Sequence, residues 1–116
     1  MSRDSRLYLE DILEAATRIR SYVEGASRGT LDTDLRTRDA VLHNLEVIGE
    51  AVKKLPESLT ERDPGVDWRG FARMRDVLAH QYFVADLDIV WEAVTEELPG
   101  LEASVRRLLA GPTPLA

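Results

Sequence analysis

Four stretches of this chain place apolar side chains three and four residues apart, and no stretch alternates with period two. That pattern restricts the fold to packed amphipathic helices, because a half-buried strand would need the period-two alternation. The first stripe is Leu9, Ile12, Ala16, Ile19, Val23 and Ala26, which predicts a helix over about residues 5–26. Ser2, Asp4 and Ser5 offer cap oxygens before it, and Gly25 and Gly29 end it. The second stripe is Leu35, Val41, Leu45, Ile48, Val52 and Leu55, with Asp32 or Thr33 as the cap and Pro56 as the stop. Gly49 lies inside this stripe at a cost of about 1 kcal/mol in helix propensity, so close approach of another helix is expected there.

Residues 57–66 read as a connector with an Asp63-Pro64-Gly65 turn and room for one short helical turn. Asp67 then caps a third helix of about fifteen residues, whose apolar face is Trp68, Phe71, Met74, Val77 and Leu78. Asp86 caps a fourth, with Leu87, Val90, Trp91, Val94, Leu98, Leu101, Val105 and Leu108 as its stripe. The stripe stays in phase across Pro99-Gly100, which predicts a kink near Pro99 rather than a break. Four such helices with short connections predict an all-α, up-and-down bundle.

A length of 116 residues is that of one domain, 1–116, large enough for a core. The N-terminus enters a mixed-charge segment with no apolar run, so neither a signal peptide nor a membrane span is expected and the expected compartment is the cytoplasm. There is no cysteine, hence neither a disulfide framework nor a thiolate metal site. The net charge of −6 argues against a general nucleic-acid coat. The charge is unevenly spread, however. Arg62, Arg69, Arg73 and Arg75 face only Asp63 and Asp67 in one segment, whereas residues 86–102 hold six acids and no base. A local basic face permits a small RNA or nucleotide site, and the acidic face suits a basic partner.

The chemistry-bearing stretch is Arg75-Asp76-Val77-Leu78-Ala79-His80-Gln81-Tyr82-Phe83. Arginine holds phosphate through a planar fork of donors, and histidine exchanges protons near neutral pH. Five positions on a regular helix separate Arg75 and His80 by roughly 140°. One chain therefore does not put them on one face, and a cleft between two-fold-related copies would supply two of each. Asp76 and His80 do share a face, as do Arg75 and Tyr82. His43 lies off its stripe and reads as a solvated or interface residue, with Glu46 and Glu50 along one side of the same helix. Scattered carboxylates and two histidines on different helices give no metal site.

Taken together, Leu45-Glu46-Val47-Ile48-Gly49-Glu50-Ala51, Trp68, Met74 to Phe83, Asp86 to Trp91 and Leu98-Pro99 resemble the HepT-like ribonuclease toxins of the HEPN superfamily. The resemblance covers nearly the whole chain. It implies a dimeric helical bundle that cleaves RNA, and not DNA, without a metal or other cofactor. By position it implies catalytic Arg75 and His80, with Asp76 and Glu50 in support. It further implies a cognate antitoxin of the minimal nucleotidyltransferase type that can add AMP to Tyr82. The alternative from another class is a non-catalytic nucleotide- or partner-binding helical module accessory to a nucleotidyltransferase. A plain helical dimerisation module is the third reading.

Overall fold

The computed structural model describes residues 1–81 and 86–111. Helix α1 runs over Arg3–Val23, with Ser2 as the cap accepting from the Ser5 amide at 3.0 Å. It stops before Gly25, whose φ of 73° is the left-handed conformation that suits a residue without Cβ. Ala26, expected on the buried stripe, therefore lies beyond the helix.

The entry to the second helix differs from the sequence reading. Thr30–Thr33 form a single turn, α2, and Asp34 then adopts extended backbone and caps α3, Leu35–Lys53, by accepting from the Thr37 amide. The break at Asp34 re-aims the chain. Leu31 becomes fully buried, and Leu35, expected in the core, is 55% exposed. Helix periodicity cannot be carried through an extended residue, so the expected stripe fails at its first member. The connector holds the expected helical turn, α4, Glu57–Thr60, with Leu59 buried. Trp68 Nε1 donates to the Asp63 carbonyl at 3.0 Å, and Arg107 reaches the Asp63 carboxylate, which ties this connector to the C-terminal helix.

Helix α5, Trp68–Gln81, is capped by Asp67, which accepts from the Gly70 amide at 2.9 Å. Val77, expected on the apolar face of α5, is 46% exposed. The fourth stripe is carried by three consecutive pieces: α6, Leu87–Glu92, a π-helical turn, Ala93–Glu97, and α7, Leu98–Ala110. Pro99 falls in the first turn of α7, where its missing N–H costs least. The wider π turn just upstream absorbs the irregularity, and Leu98, Leu101, Val105 and Leu108 all stay buried.

The described residues form an all-α bundle. Helix α3 packs between α1 and α5, and α1 packs in turn against α7. The core is a continuous aliphatic seam from Leu9, Ile12 and Ile19 through Leu45, Ile48 and Val52 to Phe71 and Leu78. Trp68 is buried at one end of it, and Trp91 is half-buried against it. Glu102 is buried on α7 with its carboxylate 2.6 Å from Arg20. Among the described residues, no helix is long and apolar enough to cross a membrane.

Candidate active site

The place where α3 meets α5 is fixed by Gly49. A Cβ there would lie 2.2 Å from Arg75 Cβ and 2.6 Å from the Phe71 carbonyl oxygen, so only glycine lets the two helices approach this closely. The expected close approach at Gly49 is thus real, and the residue pressed against it is Arg75.

One residue on, Glu50 turns its carboxylate to the same side chain. Arg75 Nε lies 2.8 Å from Glu50 Oε2, while Nη1 donates to Asp76 Oδ1 at 3.3 Å. The Nε–H is buried and not aligned for a hydrogen bond, so its link to Glu50 is coulombic. Asp76 also accepts from Lys53 Nζ at 2.8 Å. Lys53, then Arg75, hold the Asp76 carboxyl below the usual aspartate range, by hydrogen bonding and by charge. Nη2 of Arg75 makes no hydrogen bond among the described residues, and a quarter of the side chain is open to solvent.

His80 lies in the last turn of α5, exposed and without a hydrogen bond or ion pair among the described residues. Because α5 continues through Gln81, the regular helical spacing applies to Arg75 and His80, and His80 does not line the cavity that Arg75 borders. Tyr82 and Phe83 lie outside the described residues.

The histidine that does share Arg75's cavity is His43. Residues 43, 46, 47, 50 and 51 recur at helical spacing on one face of α3, Lys54 follows at its C-cap, and Tyr8 and Asp11 of α1 close the opposite wall. The spacing of His43, Glu46 and Glu50 is visible in the sequence, but nothing there says that α1 and α5 flank that face. Lys54 Nζ stands 5.5 Å over the Tyr8 ring centroid and 3.8 Å from Glu50. Among the described residues, no group of three or more His, Asp or Glu side chains is placed to hold a metal ion.

The family model "Ribonuclease HepT-like" matches residues 12–108, a span that includes Glu50, Arg75 and His80. The chain belongs to the HepT-like ribonuclease family. A protein of Thermococcus cleftensis named "Probable ribonuclease HepT" is 38% identical over 93% of this chain and 98% of its own length. A protein of Methanocaldococcus jannaschii named "Putative RNase MJ0127" is 41% identical over 84% of this chain and 80% of its own. A second from that organism, "Gamma-glutamylcyclotransferase and putative RNase MJ0434", is 35% identical over 94% of this chain, which spans 49% of that relative's length. No solved structure matches.

Proposed function

We propose that the chain is a metal-independent endoribonuclease and the toxin of a toxin–antitoxin pair, with Arg75 and His80 as its reacting groups. The observation that carries this reading is how Arg75 is held. Gly49 lets α5 come so close that Arg75 Cβ lies against α3, Glu50 faces Nε, Asp76 accepts from Nη1, and Nη2 makes no hydrogen bond among the described residues. A guanidinium fixed before substrate arrives, with one terminal nitrogen not hydrogen-bonded among the described residues, suits the negative charge that grows on phosphoryl oxygens in the transition state. His80 is exposed on the same helix, which leaves its ring nitrogens available for proton transfer.

The angular separation of the two residues requires a second copy to complete the site, so the active form is a homodimer with α5 near α5. One His80 takes the 2′-hydroxyl proton, and the 2′-oxygen attacks the adjacent phosphorus. The second copy's His80 gives a proton to the departing 5′-oxygen. The products are a 2′,3′-cyclic phosphate and a 5′-hydroxyl, and DNA, lacking the 2′-hydroxyl, is spared. AMP added to Tyr82 by a minimal nucleotidyltransferase antitoxin blocks the cleft by bulk and charge. The pairing of Arg75 with two carboxylates favours a second reading, in which a partly neutralised guanidinium holds phosphate without cutting.

Purified protein incubated with RNA in EDTA separates the two. Cleavage to cyclic phosphate ends, lost by roughly a hundredfold or more in His80→Ala, supports the ribonuclease. A requirement for a divalent ion, or His80→Ala cutting as fast as wild type, refutes the mechanism. RNA binding without cleavage leaves the second reading.

A further inference from the structure

We infer that the cavity beside Arg75 is a nucleobase pocket that selects a base with an amino-bearing edge, guanine foremost; this rests on the ribonuclease reading above. The cavity has a volume of about 440 Å³, within the range of small-ligand sites. Its cations are already engaged: Arg75 by Glu50 and Asp76, and Lys54 by Glu50 and the Tyr8 ring. What is unspent is Glu46, Asp11 and His43, none of which has a hydrogen bond or ion pair among the described residues.

Glu46 lines the cavity and is half-buried, with reduced access to water and no donor among the described residues. A phosphate placed against Glu46 and Asp11, away from Arg75, would meet two carboxylates and be repelled. A neutral ring with N–H donors meets the opposite situation. Guanine presents an N1–H and an amino N–H side by side, matching the two oxygens of one carboxylate. Cytosine and adenine offer an amino group, whereas uracil offers one N–H between two carbonyls, which a carboxylate repels. Val47 and Ala51 give the pocket an apolar floor, and Tyr8 lies in the opposite wall. A base seated here brings its own ribose phosphate to Arg75, so the pocket sets which linkage is cut.

Two measurements on the full chain test this. In the first, guanosine and uridine are titrated into the protein and amide shifts along α3 are followed. Guanosine is expected to bind at least roughly tenfold tighter than uridine, and Glu46→Gln to bring the ratio near one, because an amide both donates and accepts. Asp11→Asn, on the opposite wall, provides the same comparison if Glu46→Gln does not fold. In the second, cleavage sites on a mixed RNA are mapped and the ratio of guanosine-flanked to uridine-flanked cuts is compared between wild type and Glu46→Gln. Equal nucleoside binding, no shifts in α3, or an unchanged ratio in the variant overturns the pocket. Guanosine selectivity with no RNA cut would instead refute the ribonuclease reading and leave the pocket standing.

Discussion

Replacing Gly49 by alanine tests the packing on which the site depends. The new Cβ would sit 2.2 Å from Arg75 Cβ and 2.6 Å from the Phe71 carbonyl oxygen, whereas ordinary contact begins near 3.4 Å. Neither obstacle is the free end of a flexible side chain, so α3 and α5 must part by about 1 Å along the Ile48, Val52, Phe71 and Leu78 seam. Overpacking of this kind costs about 1–3 kcal/mol, and the better helix propensity of alanine returns about 1 kcal/mol. With the obstruction on backbone and Cβ, the upper part of the first range applies. The net expectation is a loss of about 1–2 kcal/mol, or a melting temperature lowered by roughly 4–10 °C. Arg75 moves with α5, so under the proposed ribonuclease reading RNA cleavage should fall as well. Gly100→Ala is the control: its Cβ meets nothing within 4 Å, and the same substitution should stabilise by up to about 1 kcal/mol. Urea titrations of the three proteins supply the numbers. If Gly49→Ala is as stable as wild type, or both variants shift the same way, the claimed contact between α3 and α5 does not exist.

Two further outcomes follow from the charged contacts. Lys53 and Arg75 lower the folded-state pKa of Asp76, so this carboxylate adds stability above the ordinary aspartate range and loses it as pH falls through the lowered value. Between about pH 6 and about pH 3, wild type should lose more stability than Asp76→Asn in urea titrations; parallel pH profiles would show that the pairing does not stabilise the fold. Arg20→Ala strands the buried Glu102 carboxylate and should cost roughly 1–3 kcal/mol, and adding Glu102→Met should recover most of it. A double variant as unstable as the single one in the same assay would contradict that account.

Much of the bundle is legible in the sequence because helix burial follows from residue spacing alone. The stripes through Leu9 to Ile19, Val41 to Val52 and Leu98 to Leu108 are buried as their three-four pattern requires. Asp67 and Asp86 cap the helices they precede, since a capping side chain needs only its own next three residues. The pattern misleads where one backbone conformation resets the phase. The extended Asp34 buries Leu31 and exposes Leu35, and the π turn before Pro99 stands where a simple kink is expected.

The sequence by itself determined four amphipathic helices, their caps and a segment carrying an arginine and a histidine, because these depend on neighbours a few positions away. It also marked Gly49 as a point of close approach. Only the tertiary structure decided what approaches: Phe71 and Arg75 of α5, with Glu50 turned to the same guanidinium. It likewise decided that His43, not His80, shares a cavity with Arg75 within one chain. Such relations depend on how helices cross, and the crossing is set by the packed core as a whole rather than by any one stretch of residues.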